Sequence, residues 1–159
     1  MTTKMLNTRL TMPTTAAAVC TPISAPSNGM ANSPVYAAWL DAASILVRTL
    51  WKGRPKLSPG PVRLVVIFVI APPKKEAAKL GGLFCAKRPD LDRYVHAVQD
   101  AITQAGNVWE DDGQVAHVTA AKRYAFPDEK PSVHFWAESL PLTGPTPEPL
   151  RDARVGGGG

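Results

Sequence analysis

The run Val-Arg-Leu-Val-Val-Ile-Phe-Val-Ile-Ala, Val62 to Ala71, constrains this fold more than any other stretch. It is rich in β-branched residues, and Arg63 is its one charge. Such a segment predicts a strand covered on both faces, at the centre of a sheet. It is far too short to span a bilayer. A central strand needs neighbours. Gln114–Ala125 and Ser132–Ser139 alternate like strands, and Phe126–Pro131 between them reads as a hairpin connection. Leu6–Met12 alternates too and predicts a short first strand, followed by a Pro/Ser/Thr/Ala-rich loop from Pro13 to Pro34.

Two helices complete the pattern. Ser33 suits an N-cap and Pro34 a first helical position. Val35, Trp39, Ala42, Leu46 and Leu50 recur at three- and four-residue spacing, predicting a helix to about Trp51. Leu91, Val95, Val98 and Ile102 form the apolar stripe of a second helix, ended by Gly106-Asn107. The segments Lys52–Pro61 and Pro72–Gly82 read as basic connections. The expectation is an α+β domain over 1–140, one mixed sheet packed with two main helices, and a disordered Pro/Gly-rich tail over 141–159.

Charge is unevenly placed. The formal net charge is +5. From Arg48 to Arg88 ten Lys or Arg stand against Glu76 alone, and from Asp90 to Asp112 six acids stand against Arg93 alone. A basic surface around an acidic spot suits an enzyme that holds a polyanion with cations and a metal ion with carboxylates. Cys20 and Cys85 lie far apart without metal spacing and read as reduced thiols. No charged segment followed by an apolar one marks the N-terminus as a secretory signal, so a cytoplasmic protein is expected.

The acids form two clusters, Asp90 with Asp92 and Glu110 with Asp111 and Asp112, at the two ends of the second helix. Helix capping explains Asp92 as well as a metal does, but leaves Asp90 over. A tight turn explains Asp111-Asp112-Gly113 taken alone. A helix of about fourteen residues is roughly 20 Å long. The clusters therefore meet only if the chain turns back along the helix after Gly106.

The stretch Arg88 to Val115 resembles the signature of the RusA family of Holliday junction resolvases. The residues that carry this are Pro89-Asp90-Leu91-Asp92, then Asp100-Ala101-Ile102, then Trp109-Glu110-Asp111-Asp112-Gly113-Gln114. The resemblance implies that Asp90, Asp92 and Asp112 are catalytic carboxylates holding Mg²⁺, with Glu110 and Asp111 as neighbours. It implies a homodimer that cuts opposed strands of branched DNA, a four-way junction. Members of the family are often carried by phages. Two positions depart from the family pattern: Arg93 replaces an Asn, and His96 replaces a Lys expected to meet a phosphate or the leaving oxygen. A protonated His96 could take that part, Arg93 could supply the charge instead, or His96 could be a surface histidine.

Phosphate contacts are expected from Lys74, Lys75, Lys79, Lys87, Arg88 and Arg93, some of which could equally be solubilising side chains. Trp109 is expected to pack the returning chain onto the helix, and His117 and His134 to be structural. Phe84 is either a wedge into a DNA junction or a buried loop aromatic. Besides a Mg²⁺-dependent endonuclease, the residues admit a junction-binding protein weakened in catalysis and, less well, a small metal-binding or scaffolding domain.

Overall fold

The run around Val62 forms the expected strand and takes neighbours on both sides. The computed structural model describes residues 17–19, for their backbone, and 34–144. In chain order the elements are β1 (Ala17–Val19), α1 (Pro34–Leu50), β2 (Val62–Ile70), α2 (Ala77–Leu80), α3 (Leu91–Ala105), β3 (Val115–Tyr124) and β4 (Ser132–Ser139). Short 3-10 turns sit at Lys74–Glu76 and Asp112–Gln114. The strands form one mixed sheet in the order β1-β4-β2-β3, with β2 parallel to β3 and antiparallel to β4. The fold is α+β, as expected.

The core lies between sheet and helices. Leu64, Val66 and Phe68 of β2 join Val133 and Phe135 of β4 in one buried cluster with Val47 of α1 and Val98 and Ile102 of α3. The Phe68 ring stacks on Tyr94 with centroids 5.1 Å apart. Each such side chain taken out of water contributes about 1.5–3 kcal/mol. Val65 and Val69, alternating with the core-facing residues, are buried too, so β2 is covered on both faces. Polar contacts then lock α1 to α3. The Arg48 guanidinium donates to the Ala105 carbonyl (3.1 Å), where the end of α3 favours a cation, and Asn107 donates back to the Arg48 carbonyl (3.0 Å).

Helix α3 has the predicted bounds. Gly106 closes it in the left-handed region (φ 77°), with its N–H on the Thr103 carbonyl. Other expectations are corrected. The buried side of α1 is Ala43, Ser44 and Val47, while Val35 and Ala42 face solvent, so the inward stripe is rotated by about one residue. Part of the loop read between Pro13 and Pro34 is strand β1, paired to β4 with Ala18 opposite His134. Part of the basic connection Pro72–Gly82 is helical. Strands β3 and β4 form no hairpin, because the more apolar β2 lies between them and takes both sets of backbone bonds. The strand expected at Leu6–Met12, the Ser33 cap, Cys20 and most of the tail fall outside the described residues.

Candidate metal and DNA site

Asp90 is the N-cap residue of α3, with extended backbone (φ −68°, ψ 148°), yet its side chain makes no capping hydrogen bond. Capping therefore does not account for Asp90. The carbonyls just before it are held from β3: the Lys122 ammonium donates to the carbonyl oxygens of Lys87 and Pro89, the second at 2.7 Å. Asp92 follows in the first turn, exposed.

Downstream, the chain does turn back. Trp109 is fully buried and its indole N–H donates to the Thr103 hydroxyl (2.8 Å), packing the return onto α3 as expected. Gln114 then shapes the acidic turn. Its Oε1 accepts from the Glu110 N–H (2.8 Å) and the Asp111 N–H (3.2 Å), while its amide donates to the carbonyls of Ser58 and Gly60. Two of the three acids are occupied there. Glu110 pairs with Lys56 at 2.9 Å, and Asp111 accepts from the Gly113 N–H to complete a capping box.

Asp112 differs. Hydrogen bonding to the Asp111 side chain, with some burial and the negative charges of Asp111 and Asp100, pushes its carboxyl above the ordinary range, against a small opposing effect of His96. Asp111 moves the other way, held down chiefly by the Gly113 N–H. Asp112 thus feels residues one and two turns beyond Asp92 on α3. His96 Nε2 stands 3.7 Å from Asp100 Oδ2, and Asp100 also accepts from the Tyr36 hydroxyl at 2.7 Å. Burial and that carboxylate push the Tyr36 hydroxyl up.

Asp92, His96 and Gln99 line one wall of a cleft of about 440 Å³, and Val118 and Ala120 of β3 line the other. Asp92 and His96 thus share the cleft, and Asp112 lies within electrostatic reach of His96. Asp90 stands at the helix start and does not line the cleft. Among the described residues no three His, Cys, Asp or Glu side chains form a ready metal cage. The donors still suit a hard cation. They are carboxylate oxygens, Asp112 feels the negative charges of Asp111 and Asp100, and Mg²⁺ needs only one or two protein carboxylates when waters and phosphates complete its shell. Lys74, Lys75, Lys79, Lys87, Arg88 and Arg93 are all exposed. His117 is exposed on β3, and His134 hydrogen-bonds Ser132 within β4.

Residues 21–134 match the family described as Endodeoxyribonuclease RusA. The chain belongs to that family. No curated protein matches it. The matched span contains α1, β2, α3 and β3, so the cleft, the acidic turn and the basic segment all lie inside the RusA region. Among the described residues no helix is long and apolar enough to cross a membrane.

Sequence reasoning gave no part in the site to three residues within this RusA region, although two of them, Asp100 and Gln114, lie in the motif that carries the resemblance. Asp100 sits four residues after His96 and eight after Asp92, a spacing that puts all three on one helix face. Gln114 shapes the turn that carries Asp112, and Lys122 grips the chain before Asp90. Nothing in the sequence around Lys122 marks it, because its partners are carbonyls more than thirty residues away.

Proposed function

We propose that this RusA-family chain is a Mg²⁺-dependent endonuclease that resolves four-way DNA junctions and related branched DNA in the cytoplasm, as a homodimer with one site per protomer. One observation carries the reading. Asp92 lines an open cleft with His96, and Asp112, pushed toward protonation by its acidic neighbours, lies within electrostatic reach of His96, with exposed cations on the segment before α3. Asp90, Asp92 and Asp112 would hold Mg²⁺, which when bound supplies an activated water and neutralises charge developing on the phosphate. The protein's part is placement. Lys122 sets the chain entering Asp90, Gln114 sets the turn bearing Asp112, and the exposed cations draw the DNA backbone in. Homodimerisation is inferred from the substrate, which needs two matched cuts.

Asp112→Asn should abolish nicking of a four-way junction in Mg²⁺ while junction binding stays equal or tightens. Wild-type cutting by Asp112→Asn would reject the assignment. A second reading, a junction binder weakened in catalysis, is favoured by His96 lying against Asp100 at the position of the family lysine. In that case wild-type protein binds the junction and leaves it uncut in Mg²⁺.

A further inference from the structure

Phe84 is 83% exposed, the most exposed aromatic among the described residues. It is not on a slack loop. The Gly82 N–H donates to the Tyr124 carbonyl, the Tyr124 N–H to the Leu83 carbonyl, and the Cys85 N–H to the Lys122 carbonyl, all at 2.9 to 3.0 Å. Phe84 itself bridges Arg123 in antiparallel fashion. The backbone beneath the ring is therefore tied to the outer side of β3, and Cys85 beside it is buried.

Two further apolar side chains extend the patch. Leu83 is 55% exposed and Phe126 53%. The Phe126 ring lies over Gly82, where an added Cβ would come within 2.6 Å of it, and the Arg123 guanidinium stands 5.4 Å from the ring centroid. Glu129 holds that guanidinium with two bonds of 2.6 Å. A tied apolar display of this kind marks a surface that meets something. Its surroundings say what. Lys74, Lys75, Lys79, Lys87 and Arg88, all exposed, flank it in sequence against one acid, and the same segment leads in six residues to Asp90. A flat apolar ring among cations, continuous with a nuclease site, fits nucleobases whose backbone the cations hold.

Resting on the junction reading above, we propose that Phe84, supported by Leu83 and Phe126, is a stacking platform for bases unpaired at the branch point. Duplex DNA keeps its bases stacked and gives the ring nothing to cover, so Phe84 would distinguish branched from plain DNA.

The test uses EDTA to prevent cutting and compares wild type, Phe84→Ala and Phe84→Trp on three probes: a four-way junction with 2-aminopurine at the branch point, a matched duplex, and a thymidine single strand of about twelve nucleotides. Phe84→Ala should bind the junction and the single strand roughly tenfold more weakly and the duplex as wild type does. It should also lose the 2-aminopurine brightening that wild type produces. Phe84→Trp should behave as wild type. Equal affinities of Phe84→Ala and wild type on both junction and single strand overturn the proposal. So does a uniform loss on all three DNAs together with a shift from dimer to monomer in light scattering, which would mean that the patch meets a second copy of the chain. If wild type shows no preference for junction over duplex but Phe84→Ala still weakens single-strand binding, the platform stands and the junction reading falls.

Discussion

Lys122→Met removes a cation that ties the chain before Asp90 to the sheet. The methionine keeps much of the stem's volume but cannot donate, so the carbonyls of Lys87 and Pro89 lose a charged partner. A hydrogen bond from a charged donor contributes about 1.5–3 kcal/mol. One of these two bonds is exposed and water replaces part of it, so the pair should be worth about 2–3 kcal/mol. At this chain length that is a fall of roughly 6–9 °C in Tm. The functional loss should exceed the stability loss, because the freed segment carries Asp90. Calorimetry would give the first quantity and single-turnover junction cleavage, compared with junction affinity, the second. Hydrogen exchange across residues 86–92 should rise while exchange in β2 stays unchanged. A Tm within about 2 °C of wild type, with unaltered exchange before Asp90, would show that Lys122 does not hold this segment.

Gln114→Ala should cost about 2–3 kcal/mol in urea unfolding, since one side chain satisfies four backbone groups, and should reduce cleavage by displacing Asp112; unchanged values in both assays would remove Gln114 from the site. The Arg123 guanidinium holds Glu129 down to about 2 from an ordinary 4.5, so the pair's contribution is complete above about pH 4.5 and disappears as the pH falls through about 2. Because both side chains are more than a quarter exposed, Glu129→Gln should destabilise by about 1–2 kcal/mol near neutral pH and by almost nothing near pH 2, and a difference independent of pH would refute the sign.

The elements fixed by local chemistry were legible. β2 announces itself through consecutive β-branched residues, and α3 through its stripe and the glycine that closes it. The acidic clusters pointed to a stretch that lies inside the matched RusA region, and Trp109 packs as its position suggested. Strand order was not legible, because a chain that passes from β3 through Phe126–Pro131 into β4 looks the same whether or not another strand lies between them. The placement of β2 there is a tertiary outcome of its apolar surface. The turned stripe of α1 has a similar origin: alanines at 42 and 43 carry no preference until α3 decides which is covered. Lys122 was beyond reach, and the choice between the two readings of Phe84 could not be made, for another reason. One acts through backbone carbonyls, which sequence does not label, and the other matters through its exposure, which sequence does not give.

The pairing of Leu83–Cys85 along β3 has a consequence unrelated to DNA. Among the described residues β3 is the last strand of the sheet on its side, and a bare last strand offers a row of unpaired amides and carbonyls on which other chains can polymerise. At Lys122 to Tyr124 that row is already taken, and the arriving segment ends in a buried cysteine and a run of charge rather than in another open strand. The display of an apolar ring to solvent is thus combined with a capped sheet margin, which lets the chain carry a sticky surface at high concentration without templating its own aggregation there.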